Sequence, residues 1–215
     1  FPPPPPGNRQ EMGNPTDYWW NMRALLTSLK DWVVDDVEPP PSRHPRFADG
    51  NLVAPAQIAF PAIPDVRSPA DREGGVRAAN HDLDGGAGGG TALPMFVPQV
   101  DADGNEIAGI RHPEVAVPLA TYTGWNFTNP DNGDPNTLVS LAGSYIPFPA
   151  TRAQRERTRD PRRSIEERYD SREDFLTRIE SAGEALIGDR YLLEADLPAI
   201  LERAAQHWDL LVGAN

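Results

Sequence analysis

The stretch Tyr18-Trp19-Trp20-Asn21-Met22-Arg23-Ala24-Leu25-Leu26-Thr27-Ser28-Leu29-Lys30-Asp31-Trp32-Val33-Val34, followed by Pro39-Pro40-Pro41, decides how this chain is read. Tyr18, Met22, Leu25, Leu29, Trp32 and Val33 recur at steps of three and four, the period of one helical face. Asn14 or Thr16 is placed to cap such a helix, and the three prolines are placed to end it. Trp19, Leu26 and Val34 widen the apolar stripe beyond what a surface helix requires. The pattern therefore predicts packing against a substantial layer such as a sheet, yet the sequence that follows offers no obvious partner.

Outward from this helix, the signals weaken in both directions. Upstream, Phe1 and the prolines behind it cannot begin a helix or a central strand, so this chain is expected to be a piece whose earlier residues lie elsewhere. Downstream, Ser42 to Thr91 reads as coil, with recurring Pro and Gly, no periodicity, and the tract Gly85-Gly86-Ala87-Gly88-Gly89-Gly90. A coil of this length is uncommon inside a compact domain. It is expected to wrap over a body supplied by other residues, touching down at Leu52, Val53, Ile58, Phe60 and Ile63.

From Met95 to Ile110 the pattern is that of a β-hairpin. Phe96, Val97 and Val100 precede Asp101-Ala102-Asp103-Gly104, and Ile107 and Ile110 follow it; Asp103-Gly104 tolerates the positive φ of a tight turn. Val115, Val117 and Leu119 alternate as a further short strand, and Tyr122 to Phe148 reads as an aromatic-rich loop. The last third is helical. Ser164 and Glu167 form a capping box for a short helix, and Ser171 opens a second through Phe175, Ile179, Ala182 and Leu186 to Gly188. A third begins near Asp196, with Leu197, Ile200, Leu201, Ala204 and Trp208 on its apolar face and Pro198 tolerated in the first turn.

Composition narrows the function classes. Asp and Glu number 32 against 20 Lys and Arg, a net charge of -12, so a phosphate backbone meets a repelling surface and nucleic acid is not an expected partner. The basic run Arg152 to Arg163 is interleaved with Glu156 and Asp160 and reads as a solvated linker. With no cysteine in the chain, disulfides, thiolate metal sites and cysteine nucleophiles are excluded. No stretch approaches the ~20 apolar residues of a membrane span.

The residues that carry chemistry give no catalytic constellation. A serine nucleophile sits on a tight strand-to-helix turn, usually G-x-S-x-G, because only glycines fit beside the strained serine. Gly143-Ser144-Tyr145-Ile146-Pro147 lacks both the second glycine and the helix. His44, His112 and His207 read as surface or internally satisfied residues. His81, beside Asp82 and Asp84, needs partners from elsewhere for a catalytic or metal role. Asp101, Asp103 and Glu106 miss the spacing of a calcium loop, so the hairpin turn accounts for them and no metal is expected. Asn126-Phe127-Thr128 is a formal glycosylation sequon. The loop Thr121-Tyr122-Thr123-Gly124-Trp125-Asn126 is more informative, since a glycine, an indole and several hydrogen-bonding groups in one turn can line a concave pocket. Tyr122, Thr123, Trp125 and Asn126 are the substrate-pocket candidates; the alternative is a structural plug, with Trp125 buried and Asn126 tying the backbone.

Four stretches resemble a known family. They are Asn14-Pro15-Thr16-Asp17-Tyr18-Trp19 through Glu38-Pro39-Pro40-Pro41-Ser42-Arg43, then Val97 to Glu106, then Pro118 to Asn126, then Ser164-Ile165-Glu166-Glu167-Arg168-Tyr169. Together they are similar to the tail of a bacterial group of α/β-hydrolase-domain proteins, with about Val66 to Leu93 departing from the pattern. The resemblance implies a fragment of an α/β hydrolase. Residues 1–41 would hold the last core helix and its Pro-rich flanks, and 42–93 an extended wrapping loop. Residues 94–150 would form the β-hairpin and aromatic loop, and 151–215 the terminal helices, giving a loop-rich α+β extension over the core.

The resemblance further implies a Ser-His-acid hydrolase acting on a small-molecule ester or related acyl bond, needing no cofactor. Its catalytic residues would lie before Phe1, its missing N-terminal core would be the partner of this segment, and the segment alone would be inactive. The alternative from another class is a non-catalytic binding or assembly module that packs on a partner chain. The sequence leaves the compartment open.

Overall fold

The computed structural model describes residues 2–71 and 93–213. In chain order its elements are β1 (Met12–Gly13), α1 (Trp19–Asp35), β2 (Leu52–Val53), β3 (Val97–Pro98), α2 (Pro113–Ala116), β4 (Ala120–Tyr122), β5 (Ser144–Pro147), α3 (Arg152–Thr158), α4 (Arg172–Gly188) and α5 (Leu197–Val212).

The main core forms where the helical signals of the sequence are strongest. The Ser171 side chain accepts from the backbone N–H of Asp174 and opens α4, with Glu173 and Asp174 in its first turn, where the helix dipole favours negative charge. Phe175, Ile179 and Leu186 of α4 meet Ile200, Ala204 and Trp208 of α5, and Leu119 and Tyr169 close the same cluster. Gly183 permits the close approach of the two helices, since a Cβ there would stand 2.5 Å from the Leu197 side chain. The aromatic rings interlock edge-on, with Tyr169 and Phe175 centroids 5.1 Å apart.

Beside this core lies a small antiparallel sheet in the order β1-β5-β4, with Met12 opposite Tyr145 and Tyr122 opposite the same Tyr145. Strands of two to four residues cannot hold register by their own ladders, and buried side chains complete them. Asn105, fully buried, donates from Nδ2 to the Ala120 carbonyl at 3.1 Å and accepts from the Tyr122 N–H at 2.7 Å, so its amide acts as a piece of missing strand. On the other side Arg162 donates to the Thr121 hydroxyl, to the carbonyls of Ile146 and Pro147, and to Asp160. The basic run expected to be a solvated linker is therefore corrected: it forms α3 and then this buried Arg162–Asp160 pair.

Other local expectations change for similar reasons. The predicted strand at Val115–Leu119 is instead the helical turn α2 followed by β4, because His112 caps the turn and Pro113 occupies its first position. The Tyr122–Phe148 loop contains β5. At the predicted hairpin, Gly104 at φ 80° makes the turn, and the Asp101 carboxylate accepts from the N–H groups of Asp103 and Asn105. The isolated bridge between Val100 and Glu106 crosses it; β3 pairs with β2, with Val53 opposite Val97, 44 residues apart in the chain. Within the predicted coil, Leu52 and Val53 thus form a strand, Ile63 is buried, and Phe60 packs edge-on against Trp125. Ser164 and Glu167 make their reciprocal bonds around a turn rather than a helix.

The first helix presents the greatest departure from an ordinary amphipathic element. Its buried residues are Asn21, Ala24 and Ser28, and Asn21 donates to the Tyr191 carbonyl at 2.9 Å. The opposite face is bare: Trp19 is 60%, Leu26 66% and Val33 77% exposed, and Tyr18, Met22, Leu29 and Trp32 are exposed with them. Neither Asn14 nor Thr16 caps it; the Asp17 carboxylate accepts from the Trp19 N–H. It ends at Asp35, before the prolines, with Asp36 in the left-handed region at φ 58°. No helix among the described residues is long and apolar enough to cross a membrane.

Candidate functional site

The segment from Ala120 to Asn126 is pinned from several directions. Asn14 Nδ2 donates to the Thr123 carbonyl at 3.0 Å, and the Thr123 hydroxyl accepts from the Ser144 N–H at 3.0 Å while donating to the Trp125 carbonyl. Gly143 is required at the crossing, because a Cβ there would stand 2.2 Å from the Thr123 carbonyl oxygen. These ties fix Tyr122, Thr123 and Gly124 in the lining of a cleft of about 230 Å³ that Asn14, Thr16, Glu106, Ile110, Arg111 and Val115 also line.

Of the four sequence candidates, Tyr122 and Thr123 line this cleft and Trp125 and Asn126 do not. Trp125 is half-buried between Phe60 and Phe127, with ring centroids at 5.4 and 5.6 Å. Asn126 is fully buried. Its Nδ2 donates to the carbonyls of Glu11 and Gly143, and its Oδ1 accepts from the Glu11 N–H. That burial also makes the sequon inaccessible to a glycosylating enzyme in the folded chain.

Glu106, Arg111 and Thr16 carry the polar character of the cleft and have no local sequence signature. Burial raises the Glu106 carboxyl above its ordinary pKa. Arg111 Nη2 is engaged by Asp101 and by the Val115 carbonyl, whereas Arg111 Nε and Thr16 Oγ1 are buried without a hydrogen-bond partner. Thr16 reaches the site from about a hundred residues away in the chain, beyond any motif spacing.

Behind the cleft a second polar group is sealed in the interior. Tyr145 Oη and His207 Nε2 stand 2.6 Å apart, and Tyr122 Oη and His207 Nδ1 stand 3.4 Å apart. Burial, and then the charge of Arg203, push His207 down to about 3 and His112 down to about 4. Arg203 pairs with Glu114 at 3.2 Å, while burial raises that carboxyl. Both imidazoles are thus neutral at pH 7. His207, held between two phenols, serves as a packing hub rather than a base with an accessible proton to take.

The remaining sequence candidates separate. Ser144 is fully buried, and its Oγ donates to the Trp125 carbonyl at 2.7 Å rather than to an imidazole. His44 is exposed near Arg46. Asp101 pairs with Arg111, and Asp103 with Arg168. No group of three or more metal-ligating side chains occurs among the described residues. His81, Asp82, Asp84 and the Gly85–Gly90 tract lie outside the described residues.

A family model described as an alpha/beta hydrolase domain matches residues 2–202. No curated protein and no solved structure matches the chain.

Proposed function

The chain belongs to the alpha/beta hydrolase domain family, and from that premise we propose that it is the C-terminal portion of a bacterial, serine-hydrolase-type enzyme acting on an ester or related acyl bond. In this reading the nucleophile, acid and histidine are supplied by the hydrolase core, which is the partner of this segment. The segment contributes the last core helix, α1, a covering extension, and through Tyr122 and Thr123 part of the wall of the substrate pocket.

The observation that carries this reading is the bare face of α1. The helix rests on the rest of the chain through Asn21, Ala24 and Ser28, with Trp20 and Leu25 packed partly against the core, and leaves Trp19, Met22, Leu26, Leu29, Trp32, Val33 and Val34 exposed. Covering such a face is worth on the order of 1 kcal/mol or more per half-buried large side chain. A helix that carries this much unburied apolar surface is built to meet a second layer, and the sheet of an α/β hydrolase core is the layer the family provides.

The test compares the whole protein with this segment alone on a p-nitrophenyl ester. Turnover is expected from the whole protein and not from the segment. Turnover by the segment alone, lost on Ser144→Ala, defeats the reading. Light scattering separates it from the assembly alternative: a monomeric whole protein in which Leu26→Glu with Val33→Glu destroys solubility or activity supports intramolecular docking. A stable oligomer that those substitutions dissociate, with activity intact, supports an assembly module.

A further inference from the structure

We propose that Glu106 binds a primary ammonium group in the cleft beside Gly124, with the ligand's alkyl chain against the apolar lining of Ala108, Ile110 and Val115. Ammonium binding there deepens the pocket-wall reading above, since in an ester hydrolase it points to an acyl substrate that carries an amino group. It rests on that reading for the cleft's part in turnover; the binding itself is measurable without turnover.

The Glu106 carboxylate is unused, reachable and held in place. It lines the cleft, and no described residue makes a hydrogen bond or ion pair with its side chain. Thr16 Oγ1 and Arg111 Nε are closed to solvent, whereas neither oxygen of Glu106 is. The chain on both sides of it is pinned. Asn105 donates to the Ala120 carbonyl and accepts from the Tyr122 N–H, and the Ile107 N–H donates to the Gln99 carbonyl at 3.1 Å. A group fixed before the ligand arrives loses little freedom on binding.

Gly124 keeps this carboxylate uncovered. It is exposed, and beyond its chain neighbours a Cβ at this position would meet one atom within 4 Å, Glu106 Oε1 at 3.7 Å. Its φ is not among the positive ones, so Gly124→Val crowds that oxygen without backbone strain.

Charge and hydrogen bonding select the ligand. Burial raises the Glu106 carboxyl above its ordinary pKa and no charged side chain offsets it, so a cation in the cleft restores what desolvation removes. Arg111, the cation of the lining, is engaged by Asp101 at 2.7 Å. A metal ion takes several oxygen ligands, and no group of three metal-ligating side chains occurs among the described residues. An alcohol brings a donor without charge, a quaternary ammonium brings charge without a donor, and a carboxylate is repelled. A primary ammonium brings both, and charge-assisted hydrogen bonds are roughly twice as strong as neutral ones. The cleft, about 230 Å³, is smaller than a typical drug site and suits a short alkyl chain.

The experiment titrates n-propylammonium, 1-propanol, tetramethylammonium and propionate into the whole protein and follows backbone amide shifts by NMR. A ligand of about four heavy atoms is expected to bind with a Kd of roughly 1 mM or weaker. n-Propylammonium should give saturable shifts at Thr123 and Gly124, weakened about tenfold or more by Glu106→Gln and by Gly124→Val, with the other three ligands weaker by a similar factor. Its affinity should fall as acid protonates Glu106, and Glu106→Gln should remove that pH dependence. Absence of a saturable shift, equal binding of 1-propanol or tetramethylammonium, or binding indifferent to both substitutions overturns the proposal. Turnover of a p-nitrophenyl ester is read in the same solutions. If n-propylammonium saturates the site and leaves turnover unchanged, the ammonium site stands and the pocket-wall reading falls. If it does not bind while Gly124→Val lowers turnover, the ammonium site falls and the pocket wall stands.

Discussion

Helix α1 and the α4–α5 pair share a sequence pattern and differ in what became of it. In α4 and α5 the large apolar residues are buried: Phe175, Ile179, Ile200 and Trp208 are each 6% exposed or less. In α1 Asn21, Ala24 and Ser28 are buried and Trp20 and Leu25 pack partly against the same core, while Trp19, Leu26, Leu29, Trp32 and Val33 are exposed. The two regions teach that amphipathic periodicity states a demand for a partner and does not say which chain, or which part of one, supplies it. α4 and α5 answer each other across Gly183 and Leu197; α1 is footed by Asn21, Ala24 and Ser28 with Trp20 and Leu25 beside them, and the wider part of its apolar surface is left exposed.

Substitutions can break or sharpen this contrast. The largest effect is expected in the packed region: Phe175→Ala removes a ring that touches both Tyr169 and Trp208 and should cost about 3–5 kcal/mol in denaturant unfolding. A cost below about 1 kcal/mol would show that the C-terminal pair is no better consolidated than α1. Next, Arg162→Met strands the buried Asp160 and unpairs the Ile146 and Pro147 carbonyls, and a loss of about 3–5 kcal/mol is expected. Circular dichroism should show that this loss includes the small sheet.

A smaller effect, with a distinct pH signature, is expected at the hub between the two regions. His207→Gln removes a ring held by Tyr145 and Tyr122 and should cost about 1–3 kcal/mol at pH 8. In the wild type, His207 and His112 have folded-state pKa values near 3 and 4 against an ordinary 6.5. Between those values the unfolded chain binds more protons. The two histidines therefore leave stability intact above pH 6.5 and erode it as pH falls towards 4 and then 3. His207→Gln should flatten that acid limb; an unchanged slope would assign it to other groups.

The smallest effect is expected at α1. Leu26→Glu with Val33→Glu should shift the stability of this chain by about 0.5 kcal/mol or less, while reducing aggregation seen by light scattering. A loss comparable to Phe175→Ala would mean that the exposed stripe is packed in solution, and the contrast between the regions would disappear.

Legibility followed the range of the interactions. The ends of α4 and α5 were readable because caps and helical periods are local: Ser171 opens one, and Pro198 sits in the first turn of the other. The pairing of β2 with β3, and of β1 with β5, was not readable, since two-residue strands carry no period and their partners lie far apart in the chain. The same holds at the cleft. Tyr122 and Thr123 stood out in an aromatic loop, whereas Glu106, Arg111 and Thr16 became a group only when Asn14 and Asn105 tied separate segments to β4 and its flank. Arg162 and Arg159 belong to one basic run, yet burial of the first beside Asp160 is decided by the carbonyls at the end of β5.

By itself the sequence determined α1, α4 and α5, the Ser171 cap, the net charge of -12 and the family strings, because propensity, periodicity and charge act within a few residues. Tertiary structure alone decided which face of α1 is used, which strands pair, and which residues line a common cleft. Those outcomes depend on where distant segments dock. Among the described residues, that docking leaves Trp19, Leu26, Trp32 and Val33 of α1 uncovered although their period reads as that of a packed helix.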